Sequence, residues 1–325
     1  MMTTIAIRPF IFTILSVFAI SAGILGQDDH GGHGAEAVKN TGGAATGILL
    51  LAHGGKENWN EEVKKIAVAV DKVMPVEAAF GMATKRNIQD AADRLIKRGV
   101  SEIVAVPLFV SSHSSVITST EYLLGLRKEA PADLAVFAKM DHGHGGHDSH
   151  QAADNSFDPT TPIKSSVKIR MLPALDRHPL VAEILMSRAA AISKDPANEV
   201  VVLVAHGPVD EDANNLWLAD MAALAKQMSA GHKFKRIEYM TVRDDAPDPI
   251  RSNATAELRK VVERASGEGN RVLIVPLLLS YGGIEQGVKK RLEGLQYTIP
   301  GQGLLPDARL EKWVLSSVRE TSAKK

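Results

Sequence analysis

The sequence predicts an α/β fold of two similar lobes, each a parallel sheet with helices on both faces, around a central cleft. Three observations carry this. The stretch Ile48-Leu49-Leu50-Leu51-Ala52-His53-Gly54 returns as Val201-Val202-Leu203-Val204-Ala205-His206-Gly207, so an apolar run ending in His-Gly opens two units of one kind. After each run, amphipathic stretches alternate with further short apolar runs, which is βαβ order. The runs are apolar throughout rather than at every second residue, as strands buried on both faces must be.

In the first unit, Val63, Ile66, Ala67, Val70 and Met74 keep a helical stripe after the opening strand, and residues 76–80 read as the next strand. Ile88, Ala91, Ala92, Leu95 and Ile96 mark a second helix closed by Gly99. A strand over 102–107, a helix near 120–127, a strand over 167–172 and a helix over 180–192 complete the unit. The second unit repeats the order with a strand over 200–205, a helix through Trp217, Met221, Leu224 and Met228, and a strand over 237–242. A helix carrying Ala254, Leu258, Val261, Val262 and Ala265, a strand over 272–279 and a last helix with Leu310, Trp313 and Val314 follow. The lobes are expected at 47–195 and 198–325, with residues 141–161 an insertion in the first.

The N-terminus differs in kind. Arg8 precedes an apolar run over 9–25, followed by Gln27, Asp28 and Asp29, so residues 1–26 read as an export signal, or as a membrane anchor if uncleaved. Either way the expected location is exported, periplasmic or tethered to the membrane. Residues 27–46 are a Gly-, Ala- and His-rich leader without apolar periodicity.

Composition removes several function classes. Lys plus Arg and Asp plus Glu number 38 each, so no net basic field exists to attract nucleic acid. With no cysteine in the chain, disulfides, thiolate metal sites and iron–sulfur clusters are excluded, and any metal must be held by His and carboxylates. Neither opening strand is followed by Gly-x-Gly-x-x-Gly or a phosphate loop, so no nucleotide cofactor is expected.

What the strand ends offer is histidine. Open α/β sheets bind ligands beyond the carboxyl ends of their strands, where His53 and His206 fall, together with His113 in Val106-Pro107-Leu108-Phe109-Val110-Ser111-Ser112-His113. Neutral imidazole ligates borderline divalent ions and accepts protons near neutral pH. Separately, His142, His144, His147 and His150 stud the insertion and echo Asp29-His30-Gly31-Gly32-His33-Gly34 in the leader. Such tracts read compositionally as metal-binding.

In aggregate these residues resemble the class II chelatases of the CbiX type, which act on sirohydrochlorin. The resemblance rests on the strand ending in His53-Gly54, Val76-Glu77-Ala78-Ala79-Phe80 leading into Gly81, the Val-Pro-Leu-Phe strand before His113, and the segment 172–180 opening a helix. It implies a tetrapyrrole partner and a divalent metal as substrate, cobalt first and nickel or iron as alternatives, inserted without ATP. It further implies metal-handling and catalytic roles for His53 and His113 and a metal-facing role for His206. In the second unit residues 275–283 carry no His, and Glu285 is the nearest polar candidate for a metal ligand. Lys56, Lys85, Arg86, Arg243, Lys289 and Lys290 are candidate rim cations for a carboxylate-bearing macrocycle. An exported metal- or tetrapyrrole-binding protein on the same scaffold is the alternative.

Overall fold

The computed structural model describes residues 45–140, 158–230 and 234–323. The expected signal, most of the leader and the tract His142 to His150 lie outside them. Thr46–Ala52 (β1), Val76–Phe80 (β2), Glu102–Leu108 (β3) and Lys168–Met171 (β4) form a parallel sheet in the order β2-β1-β3-β4. Glu199–Ala205 (β5), Arg236–Thr241 (β6) and Arg271–Pro276 (β7) form a second parallel sheet, β6-β5-β7. The repeated strand is thus the inner strand of each unit, flanked on both sides. Where the first sheet adds β4, the second has a single parallel bridge between Leu273 and Thr298.

The helices are Glu57–Asp71 (α1), Lys85–Lys97 (α2), Ser115–Leu123 (α3), Leu134–Met140 (α4) and Pro179–Ile192 (α5), then Glu211–Ser229 (α6), Ile250–Gly267 (α7), Ile284–Arg291 (α8) and Arg309–Ala323 (α9). Local chemistry explains several boundaries. Chain reversal after α2 uses Gly99 at φ +82°, a conformation glycine adopts without strain. Pro179 opens α5 behind His178, whose Nδ1 accepts the Leu180 N–H. Asp210 caps α6 by accepting from Ala213 N. Among the described residues no helix is long and apolar enough to cross a membrane.

Alternate residues along the strands feed opposite faces. Leu49, Leu51, Ile103 and Ala105 pack under α2, α3 and α4, while Val200, Val202, Val204 and Ile274 pack under α7 and α8. The opposite faces meet in one continuous core in which Ile48, Leu50 and Val104 share side chains of α1, α5, α6 and α9 with Val201, Leu203 and Val275. Each half sends its last helix across: α5 contacts α6 and β7, and α9 contacts α1 and β3. Residues Ala44–Lys325 accordingly form one compact unit.

Several boundaries correct the sequence reading. The helix expected near 120–127 begins at Ser115, because its first turns are Ser, Val, Ile and Thr, poor helix formers that tertiary burial of Val116, Ile117 and Ser119 overrides. Helix α4, of 7 residues, is too short to show a period, and α8, entered through Gly282-Gly283, was masked by turn chemistry. The strand expected over 272–279 stops at Pro276, although Leu277 N still donates to Val204 O at 2.8 Å.

The duplicated glycine has a physical reason. Gly54 (φ +77°) and Gly207 (φ +73°) both turn the chain off the strand end into the left-handed region. A Cβ on Gly207 would lie 2.4 Å from Thr241 Cβ, and Thr241 is itself held by its hydroxyl on Asn214 Oδ1 at 2.7 Å. Gly207→Ala is therefore expected to destabilise the fold by about 1–3 kcal/mol, measured as a lowered urea midpoint. Gly54→Ala meets Phe80 only at 3.3 Å and should lose less.

Candidate functional site

His53 directly follows β1, exposed at the carboxyl edge of the first sheet. Its Nδ1 lies 2.6 Å from the Gly54 carbonyl oxygen. A carbonyl only accepts, so Nδ1 carries the proton, and Nε2 keeps its lone pair for a metal or a proton. The ring rests against Trp59, centroids 5.6 Å apart and tilted by 40°, and Trp59 leaves no room for a Cβ at Gly55. The imidazole is thus oriented on two sides.

His113 lies beyond the end of the adjacent strand β3, on the same edge. Its N–H donates to Ser111 Oγ at 3.1 Å and its carbonyl accepts from Trp217 Nε1 of α6 at 2.7 Å, so the second half of the chain holds it. Its Nε2 faces Asp220 Oδ2 at 3.4 Å. Asp176, in the turn between β4 and α5, accepts from Ser112 N at 2.6 Å and Ser112 Oγ at 2.8 Å. His113 and Asp176 line an open recess with Ile117, Glu121, Leu126 and Met171.

Asp220 is only 8% exposed. Burial pushes its carboxyl above the usual range, the nearby Asp176 charge adds to this, and His113 and Arg177 partly oppose it. Arg177 Nε reaches to 3.7 Å of Asp220 Oδ1 from a side chain 70% exposed, which screens it. A carboxyl raised in the folded state stabilises the fold below its unfolded value of 3.8 and loses that contribution as pH rises through the folded value. Asp220→Asn should then remove the loss of stability that the metal-free protein suffers as pH rises toward 7. Thermal melts across pH 4 to 7 should show a flatter profile than wild type.

In the second half, His206 follows β5 as His53 follows β1, but its Nε2 faces Asp245 Oδ2 at 3.3 Å. Glu285, in the first turn of α8, is 1% exposed, with Oε2 accepting from Gly282 N at 2.7 Å. The two halves therefore present different groups at corresponding edges. Of the rim cations, Arg243 is buried and engaged by Glu211 at 3.0 Å and by the Val209 carbonyl. Lys85 ties down the end of the insertion by donating to Asp158 O and Thr161 Oγ1, and Lys289 lies 6.0 Å above the Tyr281 ring.

Among the described residues, one group of three His, Asp or Glu side chains has donor atoms near enough for a single ion: His113, Asp176 and Asp220, within 4.8 Å of one another. His53, His206 and Glu285 are not in it. Sequence reasoning missed Asp176, Asp220 and the anchoring Trp217 contact. One signal was present: Asp220 stands three residues after Trp217 and one before Met221, on the apolar stripe of its helix, where a carboxylate needs a reason.

Residues 47–192 match the family model CbiX. Over 68 residues the chain is 37% identical to a sirohydrochlorin cobaltochelatase of Sulfolobus acidocaldarius, an alignment covering 20% of this chain and 55% of that protein; the match spans about half the length of that relative. Two solved structures share the fold. SirB from Bacillus subtilis with Fe3+ has a TM-score of 0.56 at 18% identity, covering 86% of this chain and 96% of that one. The sirohydrochlorin chelatase SirB from Bacillus subtilis subspecies spizizenii in complex with cobalt has a TM-score of 0.52 at 15% identity, covering 85% and 95%.

Proposed function

We propose that this protein, whose residues 47–192 match the CbiX family model, inserts a divalent metal ion into sirohydrochlorin or a related tetrapyrrole without ATP. Cobalt is the first choice of metal, with nickel or iron as alternatives. The observation that carries the reading is His53: an exposed imidazole at the strand edge of that unit, with Nδ1 tied to Gly54 O and Nε2 left free.

Insertion replaces two pyrrole N–H protons by one M2+ ion, so the ion must shed water and two protons must leave the ring. A neutral imidazole serves both needs, first as ligand and then as proton acceptor. In this reading His53 Nε2, exposed to water, takes the two pyrrole protons in turn and passes each to solvent, and His113 on the neighbouring strand end holds the ion. Trp59 and the Gly54 carbonyl fix the ring plane of His53, so little reorientation is required during transfer. The tract His142 to His150 serves as a metal reservoir, and residues 1–26 place the protein outside the cytoplasm or on the membrane.

The test is anaerobic mixing of sirohydrochlorin and Co2+ with the protein, following absorbance during metallation. Acceleration over the protein-free rate is expected, and it should survive replacement of His142, His144, His147 and His150 by Ala. A second reading, an exported metal- or tetrapyrrole-binding protein on this scaffold, is favoured by one observation: in the second half Glu285 is buried and His206 faces Asp245. It would be supported by no acceleration together with several bound ions that the tract substitutions abolish.

A further inference from the structure

We propose that His113, Asp176 and Asp220 form a divalent-cation site that neither half of the chain makes alone. His113 comes from the loop after β3, Asp176 from the turn before α5, and Asp220 from α6 of the second half. One donor atom from each lies within 4.8 Å of the others. Ligand atoms at about 2.0–2.2 Å from an ion sit roughly 3–4.4 Å apart, so a small inward movement closes the shell. The 3.4 Å between His113 Nε2 and Asp220 Oδ2 is long for a hydrogen bond, yet it is close to the edge of a tetrahedron of such bonds, roughly 3.3 Å.

The observation that points to a ligand is Asp220 itself. It is 8% exposed, and its Oδ2, directed at the imidazole, has no hydrogen-bond partner. Buried carboxylate oxygens are otherwise hydrogen-bonded, whereas the groups nearest this one are the His113 imidazole at 3.4 Å and, at Oδ1, the Arg177 guanidinium at 3.7 Å. Asp176 adds a second carboxylate to the same space, which repels the first until a cation joins them. The two hydrogen bonds from Ser112 fix Asp176 and leave each of its oxygens a further lone pair. Asp176 also adopts φ +43°, a backbone conformation easier for glycine, so the turn keeps a carboxylate where a smaller residue would fit with less strain. Arg177, at 70% exposure and 3.7 Å from Asp220 Oδ1, can swing into solvent when an ion arrives.

One imidazole and two carboxylates beside an open recess suit Mn2+, Fe2+, Co2+ or Zn2+ rather than a soft ion. The site shares His113 with the chelatase reading and would hold the ion for that reaction, but it stands on its own geometry. It spans both halves, so occupancy would also tie α6 to the loop after β3.

The experiment uses the full chain with His30, His33, His142, His144, His147, His150 and His232 changed to Ala, titrated with Co2+ and read by its visible ligand-field absorption. One tight site is expected. Asp220→Asn should weaken it at least tenfold, about the lower end of what outer-shell changes alone cause, and His53→Ala should leave it in place. Co2+ should raise the melting temperature of the parent and not of Asp220→Asn, whose metal-free melting checks that it folds. Unchanged Co2+ affinity in Asp220→Asn would overturn the site, as would loss of the band in His53→Ala with retention in Asp220→Asn. Co2+ binding without sirohydrochlorin metallation keeps this site and rejects the chelatase; metallation with no such binding does the reverse.

Discussion

His53→Ala is expected to slow metal insertion by about 10²–10⁴-fold, the usual loss when a positioned acid–base group is removed. The variant should fold normally, because the side chain is exposed and its polar contact is with the adjacent Gly54 carbonyl. Removing it opens no buried cavity. The measurement is the initial rate of sirohydrochlorin metallation by Co2+ under anaerobic conditions, alongside a thermal melt. A drop in rate with an unchanged melt assigns the loss to chemistry. A rate within twofold of wild type would mean that His53 is a strand-end turn residue and that the proton acceptor lies elsewhere. His206→Ala is the internal control, since its Nε2 already faces Asp245 at 3.3 Å and the same substitution there should change the rate far less.

The largest loss of stability is expected from Glu199→Ala, about 2–3 kcal/mol, below the range for a wholly buried pair because the Arg271 side chain is 38% exposed and keeps contact with water. Glu199 is fully buried at the start of β5, just after the turn at Pro196–Asn198 that joins the halves. It accepts from Ser193 Oγ, from Lys194 N at 2.8 Å and from Asp195 N at 3.3 Å, and it pairs with the Arg271 guanidinium. Burial pushes its carboxyl up, but those donors and Arg271 outweigh it and hold the carboxyl below the ordinary 4.5. A lowered carboxyl stabilises the fold above its unfolded value and loses that contribution as pH falls through the folded one. Urea unfolding at pH 7 should therefore show the full gap between wild type and variant, and the gap should narrow below pH 4.5. Equal stabilities at pH 7 would show that the linker is held by other contacts.

Much of the fold was legible because burial leaves a one-dimensional trace. The apolar runs of β1, β3, β5 and β7 and the stripe Ile88, Ala91, Ala92, Leu95 could be read from period alone. The segments that were shifted or missed were those whose local chemistry argues against their tertiary state. Helix α3 is built of β-branched and hydroxyl residues, and α4 and α8 span two turns or so. The candidate site divided along the same line. Histidines at strand ends stand out by position, whereas Asp176 and Asp220 are 44 residues apart and become neighbours only through the packing of α5 on α6.

Legible along the chain were the duplicated α/β plan, the placement of His53 and His206 at strand ends, the reliance on His and carboxylate for any metal, and the resemblance to CbiX-type chelatases. These follow from periodicity, composition and motif, which need only neighbouring residues. Folding adds that the halves share one core through exchanged helices, that Glu285 is buried, and that a carboxylate of α6 meets His113. Each of these is a contact between residues far apart in the chain, made where burial of apolar surface brings helices of both halves together, and no local pattern encodes which distant partner a side chain will meet.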